Sequence, residues 1–188
     1  MEEVNKFNRQ PDKEIYSDKP IIALLPGSRK QEINKKLPVM LAVAEQFSDY
    51  QFIIAQSPGL PASFYETFTK DFPNVSAVSG KTYSLLSKST AALVTSGTAT
   101  LETALLGTPQ VVCYKGNPIS YQIAKRLVKI RFISLVNLIL NKEAVKELIQ
   151  DEMNVQQLTT ELQNILPGGS KREQILNDYS TLRNMLQE

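Results

Sequence analysis

Between residues 21 and 115 the chain returns five times to a short, mostly apolar run: IIALL (21–25), QFIIAQ (51–56), VSAV (75–78), AALVT (91–95) and QVVCYK (110–115). A strand with one wet face alternates apolar and polar residues. A nearly continuous apolar strand has both faces covered. Helical stretches separate these runs. Buried strands alternating with helices predict an α/β fold, a parallel sheet with helices on both faces.

The helical stretches have recognisable punctuation. Glu32 to Ser48 places Ile33, Leu37, Met40, Leu41, Ala44 and Phe47 on one stripe, with Pro38 expected to kink or split it. Ala62–Phe72 and Thr82–Ser87 read as helices. Thr98–Leu106 is helical and closed by Gly107, with Pro109 just after. Pro118 opens a helix reaching about Lys129. FISL (132–135) reads as a last strand. Glu143–Gln150, Val155–Leu166 and Ser170–Gln187 read as C-terminal helices.

Composition narrows the function classes. The 188 residues suit one domain with one good core, and a net charge of +2 is too weak to argue for nucleic acid. There is no histidine, which removes histidine-ligated metals and histidine-based triads. Cys113, the single cysteine, lies in an apolar run and reads as a buried core thiol. No apolar run approaches the roughly 20 residues that span a bilayer. Residues 1–18 are polar, resemble neither a signal nor a transit peptide, and read as a linker before a domain over 19–188.

In open α/β sheets, ligands bind beyond the carboxyl ends of the strands. Two such ends share a chemistry. Pro26-Gly27-Ser28-Arg29 follows the first strand, and Ser96-Gly97-Thr98-Ala99 follows the fourth. Each glycine permits a tight turn and close ligand approach. Each leads into a helix N-terminus, whose free N–H groups and dipole attract anions, phosphates above all. The alternative is that these hydroxyls are ordinary N-caps; two such junctions on one sheet, one with an arginine, favour a phosphate site. Neither contains GxxxxGK[ST] or GxGxxG.

Three further features each have two readings. Glu102, one turn into the second of these helices, is a dipole partner or a ribose ligand. Asn137, after FISLV, closes a turn or holds a ligand. Lys125, Arg126, Lys129 and Arg131, interleaved with apolar residues, form a solvated face or a surface for anionic lipid headgroups.

Four stretches occur in order: LLPGSRKQEI (24–33), AALVTSGTATLETALLGTPQVVCYK (91–115), AKRLVKIRFISLVNLI (124–139) and VKELIQDE (145–152). Together they closely resemble the C-terminal half of the lipid-A-disaccharide synthases, bacterial inverting glycosyltransferases of the GT-B type. The resemblance implies a Rossmann-like domain, one half of a GT-B fold, that binds UDP-2,3-diacylglucosamine. It implies transfer to lipid X (2,3-diacylglucosamine 1-phosphate) with release of UDP, and no cofactor or metal. By position, Gly27, Ser28 and Arg29 would lie at the donor diphosphate, with Arg29 stabilising the leaving group. Ser96, Gly97, Thr98 and Ala99 would offer backbone N–H groups, Glu102 would meet the ribose, and Asn137 matches the asparagine of the family's SLPN stretch. Val136 stands where that stretch has proline. The basic helix resembles one linked to peripheral attachment at the inner face of the cytoplasmic membrane. The family's N-terminal domain, with the acceptor site and proposed base, has no counterpart in this sequence, so the expectation is a donor-binding domain inactive by itself. The competing classes are another GT-B-like enzyme, such as a sugar-nucleotide epimerase, and a non-catalytic phospho-ligand or membrane-surface module.

Overall fold

A computed structural model describes residues 15–127 and 130–187. Six strands form one parallel sheet: β1 (Ile21–Leu25), β2 (Gln51–Gln56), β3 (Val75–Ser79), β4 (Ser89–Thr95), β5 (Gln110–Tyr114) and β6 (Glu147–Ile149). Their order is β3-β2-β1-β4-β5-β6. Winding therefore reverses between β1 and β4, and their register sets Leu25 opposite Val94, so the two strands end level. The helices are α1 (Lys30–Ala44), α2 (Ala62–Thr69), α3 (Thr82–Lys88), α4 (Thr98–Leu105), α5 (Pro118–Leu127), α6 (Leu135–Leu140), α7 (Val155–Ile165) and α8 (Arg172–Met185).

The period of two sorts each apolar strand between two cores. Ile22, Leu24, Phe52, Ile54, Ala91 and Leu93 face the larger core, filled by α1, α7 and α8. Ile21, Ala23, Leu25, Ile53, Ala92 and Val94 face the smaller one, closed by Leu85 and Leu86 of α3. That is why the runs had to be apolar throughout. Ile15 is buried in the smaller core, and Lys88 donates to its carbonyl at 3.3 Å. Ile15, within the stretch read as a linker, thus packs against the sheet's smaller core.

Pro38 does not split α1, which runs unbroken through it. Pro38 and Asn34 are both exposed, so water can reach the carbonyl left without its i+4 donor. Two other expectations fail. FISL is not a strand: the N–H groups of Ile133 and Ser134 donate to the Glu147 carboxylate, at 3.0 Å and 2.9 Å. Glu143–Gln150 is not a helix either: its end is β6, which gives β5 a partner through the pairs Val112–Glu147 and Tyr114–Ile149. The i, i+3 spacing of buried Val145 and Leu148 fits a helix, and the open edge of β5 overrides it.

The last helix docks on this same sheet. Gln110 donates to the Tyr179 hydroxyl at 3.1 Å, Arg172 donates to the carbonyls of Thr90 and Ile165 at 2.8 Å each, and Lys142 pairs with Asp178. Arg183 donates to Leu105 O at 3.2 Å.

Candidate anion-binding cleft at the switch point

The two glycine junctions end side by side because β1 and β4 are neighbours at the point where the winding reverses. They line one cleft of about 390 Å³. Gly27, Ser28 and Arg29 come from the first junction and Ser96, Gly97, Thr98 and Ala99 from the second; Thr95, Glu32 and the β2 end at Gln56-Ser57-Pro58 complete the wall. This is the crevice in which doubly wound sheets take their ligands.

Backbone conformation explains the glycines. Gly27 has φ 121°, and a Cβ there would lie 2.7 Å from Glu32 Oε2. Gly97 has φ 133° and ψ −164°, a region essentially closed to other residues, and open space lies where its Cβ would be. Neither helix start is capped by a side chain: the N-cap of α1 is Arg29 and that of α4 is Gly97, and neither makes a side-chain cap bond. The N-cap reading of Ser28 and Ser96 therefore fails. Other helices here also start uncapped, and Thr82 at the start of α3 lines the same cleft; what marks α1 and α4 is that the turn opening each has a positive-φ glycine that itself lines the cleft.

The cleft wall carries one charge of each sign, Arg29 and Glu32, and the pair is loosely held. The Arg29 side chain is 82% exposed and sits 3.7 Å from Glu32, an ion pair of the kind worth under about 1 kcal/mol. An incoming phosphate oxygen can displace it. Beneath the turn lies a lysine that the sequence reading passed over. Lys36 is 3% exposed, and its ammonium donates to the Thr95 hydroxyl. Burial lowers its pKa below the ordinary lysine value, opposed by the nearby Glu32 carboxylate. The signal was present: Lys36 stands beside Ile33, Leu37 and Met40 on the stripe that α1 buries.

Two sequence candidates are not brought to this cleft. Glu102 is half-buried in the second turn of α4 and is not among the lining residues. Asn137 is fully buried in the first turn of α6, with its amide saturated. Its Oδ1 accepts from Ala144 N at 2.8 Å and Val145 N at 2.9 Å; its Nδ2 donates to Val145 O at 2.8 Å and Glu147 Oε1 at 2.9 Å. An amide with two donors and two acceptor pairs has nothing left for a ligand. The expectation that Asn137 contacts the donor directly is corrected accordingly: it knots a loop.

Lys125 and Arg126 are exposed on the last turn of α5, and exposed Arg131 stacks its guanidinium 5.0 Å from the Phe132 ring centroid. Lys129 lies outside the described residues. Ile119 and Ile123 of α5 are exposed beside these cations. A second cavity, about 700 Å³, opens at the β5 and β6 ends between Tyr114, Tyr121, Lys125, Arg131 and Gln150. Cys113 is buried as expected, and burial pushes its thiol up to about 12.

The family model for lipid-A-disaccharide synthetase matches residues 1–188. The chain belongs to that family. The lipid-A-disaccharide synthase of Syntrophus aciditrophicus is 40% identical over 182 residues, covering 92% of this chain and 46% of that protein. That of Psychromonas ingrahamii is 35% identical over 180 residues, with 92% and 46% covered. The chain thus spans about half the length of the curated relatives it matches. Among solved structures, the calicheamicin glycosyltransferase CalG4 superposes with a TM-score of 0.57 at 18% identity, over 88% of this chain and 39% of that one. A UDP-N-acetylglucosamine 2-epimerase superposes at 0.55 and 12% identity, over 93% and 43%. At such identities the likeness establishes the fold alone, and glycosyltransferase and epimerase share it.

Proposed function

We propose that residues 19–188 form the donor-binding half of a lipid-A-disaccharide synthase and hold UDP-2,3-diacylglucosamine by its diphosphate. The observation that carries this reading is the convergence of the two uncapped glycine junctions, with Arg29, on one cleft at the switch point. Family membership selects the transferase over the epimerase of like fold.

In the proposed reaction the 6-hydroxyl oxygen of lipid X attacks the anomeric carbon from the face opposite the diphosphate. The bond from that carbon to the diphosphate oxygen breaks, and UDP departs with the electron pair. The hydroxyl proton goes to a base outside this chain, in the half of the longer relatives that it does not match. Negative charge grows on the departing diphosphate. Arg29 and the N–H groups opening α1 and α4 stabilise that charge more in the transition state than in the ground state. Arginine suits the task because its planar fork grips two oxygens. By position in the family, Glu102 is assigned the ribose; since it is not among the residues that line the cleft, the proposal has the nucleoside extend along α4 from the diphosphate. Lys125, Arg126 and Arg131, with the exposed isoleucines of α5, would rest against anionic lipid at the inner face of the cytoplasmic membrane.

Titration with UDP, using UMP and AMP as controls, tests the assignment. Saturable UDP binding that Arg29→Ala weakens supports it. Equal binding of AMP and UDP, or none at millimolar UDP in the two-domain enzyme, refutes it. The chain by itself is expected to bind UDP without transferring sugar.

A further inference from the structure

Lys36 belongs to no motif of the family resemblance, and folding gives no evident use for it. It is 3% exposed on the inner face of α1, between Ile33, Leu37 and Met40, where methionine or leucine would fill the same space. Among the described residues its ammonium makes one hydrogen bond, to Thr95 Oγ1, for three N–H donors. Burying an ammonium with so few protein partners costs stability. Its position suggests what offsets it. Thr95 ends β4 and lines the cleft, and Lys36 Nζ lies 3.6 Å from where a Cβ on Gly27 would stand. The ammonium is therefore directly beneath the turn that faces the anion.

The Lys36–Thr95 bond also has a direction. Lysine can only donate, so the threonine oxygen accepts from it, and the hydroxyl hydrogen is left to donate elsewhere. Thr95 is itself one of the residues that line the cleft. We propose that Lys36 is a positioning residue of the donor site: it orients the Thr95 hydroxyl as a donor to the bound diphosphate and supplies, from below, a second positive charge to that of Arg29. This rests on the nucleotide reading of the cleft. The charged or titratable groups around Lys36 are Glu32 and Lys35 on its own helix and Cys113 on β5; the raised pKa of Cys113 keeps that thiol neutral. Among the described residues, Glu32 is the carboxylate that offsets the ammonium, and the proposed diphosphate adds to it.

The test measures UDP affinity and unliganded thermal unfolding for the wild-type chain, Lys36→Met, Thr95→Val and the double variant. Lys36→Met should weaken UDP binding at least tenfold while the unliganded unfolding temperature stays level or rises. Thr95→Val should weaken binding less, and the double variant should be no weaker than Lys36→Met alone, because one group acts through the other. A wild-type chain that binds UDP while Lys36→Met binds it equally well overturns the role of Lys36 and leaves the nucleotide reading standing. Affinity lost together with the unfolding temperature makes Lys36 structural and also overturns it. If Lys36→Met does not fold, unchanged affinity in Thr95→Val is the overturning result. A wild-type protein, two-domain form included, that ignores UDP removes the nucleotide reading itself.

Discussion

Two polar regions of this molecule are built on opposite terms. Beside β6, the Glu147 carboxylate, the Ser134 hydroxyl and the Asn137 amide are answered from within. The carboxylate receives the N–H groups of Ile133 and Ser134, the Ser134 hydroxyl and the Asn137 amide, while Asn137 completes four bonds of its own. The α6 helix there is capped by Ser134. At the switch point, two helices start uncapped, Arg29 holds only a loose exposed pair, and Lys36 has one hydrogen bond. A saturated network organises a loop. The loosely partnered one, where Arg29 meets Glu32 and Lys36 meets Thr95, is the site proposed for the donor. The contrast separates residues that the sequence had placed in one class.

The sharpest way to break that contrast is Asn137→Ala. It strands the buried N–H and carbonyl of Val145, takes one partner from Glu147, and leaves Ala144 N–H with only the Lys142 carbonyl, so stability should fall by about 3 kcal/mol. Thermal unfolding would read this as a drop of roughly 6–12 °C, with UDP affinity of the folded fraction unchanged. Affinity lost at a wild-type unfolding temperature would return Asn137 to the donor site. Arg29→Ala comes next. In a full-length enzyme it should cost on the order of 100-fold in turnover, the scale of one lost oxyanion donor, with little change in stability because the side chain is exposed. A loss under about threefold would remove Arg29 from leaving-group stabilisation.

Gly97→Ala should be smaller in stability, about 2 kcal/mol of backbone strain, because no neighbouring atom opposes the new methyl. It should nevertheless abolish UDP binding if backbone and ligand meet there; a variant that binds normally would place the ligand elsewhere in the cleft. The smallest effect is on pH. The pKa of Lys36 is lowered in the folded chain, so between that value and 10.5 the unfolded chain binds the extra proton. Stability attributable to Lys36 therefore rises with pH across this window, whereas UDP affinity falls as the ammonium is lost. Glu32, Lys35 and Cys113 surround the same site. The difference between wild type and Lys36→Met isolates the lysine, and parallel rather than opposite trends would contradict the contrast.

Legibility followed physical range. The five apolar runs were found as strands because burial on two faces leaves an unmistakable local pattern, and both glycine junctions followed from chemistry within four or five residues. FISL and Glu143–Gln150 were misread because short apolar stretches fit strand and helix alike, and their choice depends on partners far along the chain: the Glu147 carboxylate and the bare edge of β5. Asn137 was misplaced for the same reason, since its bonds run to Ala144, Val145 and Glu147. Lys36 was passed over because a lone lysine in an apolar stripe usually snorkels outward.

By itself, then, the sequence determined the α/β class, the two glycine turns and the family. Those are written in local periodicity, in backbone conformations that only glycine adopts, and in motifs read in order. Tertiary structure alone decided that the two turns meet in one cleft, that Asn137 is saturated while Lys36 is not, and that α8 closes on its own sheet. Each depends on which groups approach from positions 7 to 82 apart in the chain, and such a hydrogen-bond count exists only once the strands are ordered and the faces packed.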